Sequence, residues 1–176
     1  MTRAPEVIDD LDAPAPRASS GAAWELIRDG VMGGRSTGTM QREMVAGRPA
    51  VHLTGEVSLE NNGGFVQIAL DLRPDGAAVD ASAWRGIALD VVGNDETYNL
   101  HLRTKDVVRP WQSYRASFEA PPAWTTVRLP FAAFTAHRVD APFDVQSLRR
   151  LGIVAIGRAF TVDVAVGGLR FYRDAD

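Results

Sequence analysis

Residues able to do binding chemistry cluster in a few short blocks. In TYNLHLRT, Asn99, His101 and Arg103 recur at every second position, so in a strand they share the face opposite Tyr98, Leu100 and Leu102. Arg115 alternates in the same way with Tyr114 and Ala116, and from a neighbouring strand it can join them. Amide, imidazole and guanidinium groups side by side suit a carboxylate, sugar hydroxyls or backbone carbonyls, although an outer solvated face explains the pattern as well. Between these blocks, RPWQSY carries Trp111 and Tyr114, rings that anchor sugars or protein partners when they stand outside the core. One of the two can instead close the end of the core. In LENNGGF, Asn61 and Asn62 can donate and accept hydrogen bonds towards a polyol, a peptide backbone or another loop. The Asn62-Gly63 pair is a turn signal, and a positive φ at Gly64 would let the chain pivot into the next strand.

Covalent and acid–base chemistry find less support. In GVMGGRS, Arg35 stands where a nucleotide-binding loop needs lysine, and the flanks read as strand, so a tight turn at Gly33 and Gly34 explains the glycines better. No serine sits in a nucleophile elbow. Glu56 and Glu60 offer a carboxylate pair, but Glu60 adjoins a turn and nothing brings a partner to it. His52, His101 and His137 lie in separate segments without zinc-ligand spacing. Asp95 and Glu96 could contribute to a loop calcium site, a weak signal. Absence of cysteine removes thiol catalysis, disulfides and thiolate metal sites. No cofactor is expected.

The elements that must position these residues are strands. Val66, Ile68, Leu70 and Leu72 alternate with polar or small residues, as do Tyr98–Leu102, Tyr114–Phe118 and Val162–Val166. Further strands are predicted over Trp24–Ile27, Thr39–Val45, Ala50–Thr54, Ile87–Val92, Thr125–Leu129 and Ile153–Ile156, with Gly, Pro, Asn and Asp between them. About ten short strands without long helical stretches cannot make the crossovers of a parallel sheet. The fold class expected is therefore all-β, an antiparallel sandwich of jelly-roll type. DVQSLRRL from Asp144 is the best candidate for a single short helix, with Asp144 as its cap. Trp24, Trp84 and Trp124 adjoin apolar strand starts and are assigned to the core.

A chain of 176 residues with 45% hydrophobic and 23% charged residues can bury one self-sufficient core. Residues 1–21, rich in Pro, Ser and acids, are expected to form a mobile tail, leaving 22–176 as one domain. The formal net charge of −3 offers no field for nucleic acid, and no apolar run is long enough to span a bilayer as a helix. The acidic N-terminal stretch lacks the apolar segment of a signal peptide and is unlike a transit peptide, so a bacterial cytoplasmic location is expected.

DGVMGGRSTG, SLENNGGF, ETYNLHLRT, RPWQSYRASF and WTTVRLPFAAF, in this order, resemble the complex I intermediate-associated protein 30 family from about Trp24 to Tyr172. The resemblance implies a galactose-binding-like jelly roll and a non-catalytic, protein-binding role in assembling respiratory NADH:ubiquinone oxidoreductase. Subunits or intermediates of that complex are then the partners. It also marks the glycine loop as a family signature, which makes Arg35 and Ser36 candidates for an exposed recognition loop. Because the implied fold is shared with sugar binders, a carbohydrate-binding module is the alternative and a sugar-active enzyme the second alternative.

Overall fold

The computed structural model describes residues 2–173, with the backbone alone at Val31, Met32 and Asn62. One sheet runs in the order β3 (Thr37–Val45), β4 (Arg48–Val57), β12 (Phe160–Tyr172), β6 (Gly86–Gly93), β9 (Thr125–Pro130), with β1 (Val7–Asp9) also on β12. The other runs β10 (Thr135–His137), β8 (Ser113–Glu119), β7 (Thr97–Thr104), β11 (Leu148–Ile156), β5 (Phe65–Asp71), β2 (Glu25–Arg28). Every pairing between these strands is antiparallel, so the expectation of an antiparallel sandwich holds. The period-two pattern does the work: Ile68, Leu70, Leu100, Leu102 and Ile153 of one sheet meet Leu53, Ile87, Leu89 and Val164 of the other in a single core, all fully buried. Each such side chain contributes about 1.5–3 kcal/mol. Tyr98 is buried among them and reaches the edge with its hydroxyl, which donates to Asn94 Oδ1 (2.6 Å) and accepts from the Asp163 amide (3.0 Å).

Two expectations are corrected here. DVQSLRRL is not a helix: Asp144 does accept from the Gln146 amide (3.0 Å), but only a 3-10 turn over Val145–Ser147 follows, and Leu148 already begins β11. Its apolar residues gain more by joining the strand ladder, where Leu148 and Leu151 are buried, than by one helical stripe. Nor is the N-terminal segment a mobile tail. β12 pairs with β4 only through Val166, and β1 takes over that edge of β12 at Leu169 and Arg170. Ile8, Leu11 and Ala18 are buried, and the buried Asp9 carboxylate accepts from Trp24 Nε1 (2.8 Å) and the Leu11 amide (3.0 Å). Composition suggested disorder because it does not register one buried carboxylate serving as a local hub. Of the tryptophans assigned to the core, Trp24 is buried, whereas Trp84 and Trp124 are half-buried, Trp84 stacked on Phe171 and Trp124 beneath Arg48.

On the outside of the first sheet, His52 lies between Glu43 (Nδ1–Oε2 2.8 Å) and Asp163 (Nε2–Oδ1 2.6 Å), tying β3, β4 and β12 together. Burial opposes the charged ring, but hydrogen bonds and charge from the two carboxylates outweigh it and raise the pKa above 6.5. The stabilisation is therefore complete below the unfolded value and is lost as pH rises through the raised folded value. Urea titrations at about pH 6 and pH 8 should show a loss on the order of 0.5–1 kcal/mol across this window, small because both carboxylates are partly exposed, and His52→Gln should remove the difference. Asp9→Ala strands the indole N–H of Trp24 and should cost about 1–3 kcal/mol in the same assay.

Candidate functional site

Side chains of β10-β8-β7-β11-β5-β2 that point away from the core line a groove of about 390 Å³. One row of register partners crosses it: Arg115 faces His101, His101 faces Gly152, and Gly152 faces Ala69. Small residues at the last two positions keep the floor low. A Cβ at Gly152 would lie 2.7 Å from Gln67 Oε1, so a side chain there would displace the Gln67 amide from the floor. Arg103 and Arg150, paired in register on the next row, also line the groove, and Phe65, Val154 and Ile156 make its apolar end. The opposite wall is the loop between β7 and β8. Its Gln112 side chain accepts from the Arg109 amide (3.1 Å) and donates to the Arg138 carbonyl (3.0 Å), which fixes Trp111 at the rim with its ring 52% exposed. Arg109 stands 5.9 Å from the ring centre.

The groove is rich in positive charge. Arg150 is neutralised by Asp71 (2.8 Å) and Glu25 (3.6 Å). Arg115 Nε donates to Ser113 Oγ (2.8 Å), and Arg103 Nη1 has only long contacts to the carbonyls of Pro110 (3.4 Å) and Gln112 (3.5 Å); among the described residues neither has a carboxylate partner. Burial, then Arg115 and His137, push the pKa of His101 down to about 3, so its ring is neutral, and its buried Nε2 has no hydrogen-bond partner. Among the described residues no Asp or Glu lines the groove.

Of the residues singled out in the sequence, His101, Arg103, Trp111 and Arg115 are brought together. Tyr114 and Ser36 are corrected. Tyr114 is a core residue, its ring against Phe143 and its hydroxyl donating to the Ala141 carbonyl (2.7 Å); it precedes Arg115 in β8 and so faces inward. Ser36 is buried and donates to Asp29 (2.5 Å). Arg35 and Asn61 are exposed on loops outside the groove lining, Asn62 lies beside Asn61 with its side chain outside the described atoms, and Asn99 accepts from Ser117 (2.9 Å). Glu96 is paired with Arg158, and among the described residues no cluster of three His, Cys, Asp or Glu side chains can hold a metal ion. Gln67, His137 and Arg150 were missed, although the alternation of β5 already put Gln67 opposite Val66 and Ile68.

The two glycine blocks have another purpose. The Asp29 carboxylate, fully buried, accepts from the Ser36 amide (3.0 Å), Ser36 Oγ (2.5 Å) and the Gly64 amide (2.6 Å). A Cβ at Gly34 or Gly63 would come within 2.4 Å or 2.5 Å of that carboxylate. Burial opposes its charge, yet the donors of Ser36, Gly64 and Phe65 hold its pKa below the usual value. DGVMGGRS and LENNGGF are thus one knot that delivers Phe65 and β5 to the groove.

The family model for complex I intermediate-associated protein 30 matches residues 14–165. The chain belongs to the complex I intermediate-associated protein 30 family. No curated protein matches it in sequence. Among solved structures, the domain is similar to a family 11 carbohydrate-binding module of a Clostridium thermocellum cellulosomal cellulase (TM-score 0.76, 12% identity, 100% of this chain and 98% of that one). A Clostridium thermocellum family 11 module in complex with a β-1,3-1,4-mixed-linked tetrasaccharide gives a TM-score of 0.74 at 12% identity over 97% and 96%. An exo-β-agarase gives 0.60 at 10% identity, over 98% of this chain and 26% of that one. The fold of this family member is accordingly the jelly roll that the sequence implied, and among the described residues no helix is long and apolar enough to cross a membrane.

Gly64 has φ +139°, and a Cβ there would lie 3.1 Å from Leu59 Cδ2, so Gly64→Val should cost about 1–3 kcal/mol. Asp29→Ala leaves several donors unpaired and should cost more than about 3 kcal/mol. Asn61, at φ 56° and exposed, should tolerate glycine with no loss. Thermal and urea unfolding of the three variants check this order.

Proposed function

We propose that the chain is a non-catalytic protein-binding module of the assembly-factor type, holding a segment of its partner in the groove on the β10-β8-β7-β11-β5-β2 face. The observation that carries this reading is the groove itself: a depression open to solvent, lined by side-chain donors and apolar floor residues and without a carboxylate. Glycoside hydrolysis by the usual route uses a pair of carboxyl groups flanking the scissile bond. Here Glu56 is outside the groove, accepting from Thr161 Oγ1 (2.6 Å), and Glu60 is exposed on a turn. Membership of the family supports a protein partner, with respiratory-complex subunits or assembly intermediates as the specific candidates.

Carbohydrate binding is the second reading. It is favoured by one exposed ring, Trp111, at the rim of the groove, together with similarity to a family 11 module in complex with a tetrasaccharide. The two readings separate by experiment. The tagged protein and its Arg103→Ala and Trp111→Ala variants are used to capture partners from the native host, and captured proteins are identified by mass spectrometry. The same preparations are applied to a glycan array. Protein capture that falls at least about tenfold in both variants at unchanged melting temperature is expected, in line with truncation of interface anchors. Array binding with no groove-dependent protein capture would replace the first reading with the second.

A further inference from the structure

The groove has an excess of donors and of positive charge in a chain whose formal net charge is −3. Arg103 and Arg115 bracket His101: Arg115 is its register partner, about 5 Å away across the ladder, and Arg103 is two residues along the same strand. Among the described residues neither guanidinium has an acid beside it, whereas the neighbouring Arg150 has two. Each of the four basic groups at this end is held below its ordinary pKa by burial first and then by another cation or imidazole: Arg103 by Arg149 and Arg150, Arg115 by Arg138, His101 by Arg115 and His137, His137 by Arg115 and Arg138. Half-buried like charges without counter-charge are costly, and an incoming anion would relieve them.

We propose that Arg103 and Arg115 form an anion-selective seat that receives the carboxylate of an acidic side chain, carried on an extended segment of a partner protein. The proposal rests on the reading of the groove as the binding site and adds the chemistry of its ligand. A carboxylate only accepts hydrogen bonds, and this end of the groove mostly donates. Neutral sugar hydroxyls also donate, and the side-chain acceptors offered to them are few: the Gln67 carbonyl, the Gln112 carbonyl already engaged by the Arg109 amide, the Ser113 hydroxyl and the two imidazoles. The dimensions fit a peptide as well. From β8 to β5 the groove crosses three inter-strand gaps, about 14 Å, the length of about four extended residues. Its far end is apolar at Ile27, Phe65, Val154 and Ile156, so an acidic residue at the seat places apolar neighbours over that floor. Trp111 stands at the rim of the same groove, exposed to solvent.

The test measures binding of the full chain, by fluorescence polarisation, to labelled amidated octapeptides with two central glutamates between apolar residues, each matched by its glutamine counterpart. Trigalacturonate and a β-1,3-1,4-glucan tetrasaccharide serve as competitors. Glutamate peptides are expected to bind at least about tenfold more tightly than their glutamine counterparts, and the advantage should shrink as salt rises from about 50 mM to about 500 mM. Arg103→Gln and Arg115→Gln should each remove most of the difference at unchanged melting temperature. If either variant unfolds, the glutamate-to-glutamine ratio of the unaltered protein decides. Equal binding of the two peptide forms overturns the proposal, and so does displacement of the peptides by trigalacturonate at lower concentration than free peptide. Groove-dependent capture of a protein without any preference for glutamate would leave the binding reading standing and remove the carboxylate seat, while loss of both would remove the site altogether.

Discussion

One buried carboxylate organises the loops that lead into the grooved sheet. Asp29 is held by donors from two loops that are separated by more than twenty residues, and its negative charge survives burial only because the Ser36, Gly64 and Phe65 groups converge on it. The arrangement is demanding: the backbone amides must approach so closely that side chains are excluded at Gly34 and Gly63. What looks in sequence like two separate glycine signatures is one physical requirement, that an acid be enclosed by backbone amides and one hydroxyl. The same knot fixes where β5 starts, and through the β5–β11–β7–β8 ladder it sets the register that puts Gly152 opposite Ala69 and His101 opposite Arg115.

The outer faces of the two sheets differ in charge balance. On the first, the central groups are paired: His52 lies between two carboxylates, and Asp90 accepts from both Arg48 and Arg170. On the second, two guanidiniums are left with backbone and hydroxyl partners only. Paired groups gain their modest stability internally and have little left to offer a ligand. An unmatched face carries a standing electrostatic cost, and a compensating ligand converts that cost into affinity.

How legible this was in the sequence depends on the range of the interactions involved. Period-two alternation is local, so the core side of β5, β7, β8 and β12 could be read directly, and with it the grouping of His101, Arg103 and Arg115. Tyr114 was kept among the binding candidates because it follows Trp111 in RPWQSY, although the same alternation already set it opposite Arg115, on the core side. Ser36 was misjudged because its partner Asp29 is reached across a turn, and β1 was missed because its place exists only once β12 outruns β4. Gln67, His137 and Arg150 come from three strands that meet only through sheet order, which no local pattern encodes.

The position of β12 has a consequence for how the chain acquires its structure. Thirteen residues long, it lies at the centre of its sheet, between β4 and β1 on one side and β6 on the other, yet it is the last of the described strands in the sequence. Until it is in place the β3–β4 hairpin and the β6–β9 pair have no neighbour, and the two halves of that sheet are open edges. Contacts between sequence-distant segments carry the highest loop-closure cost and slow the search. On the ribosome, then, the nascent chain would wait as two unpaired β fragments and close in one late cooperative step, when its centre finally emerges.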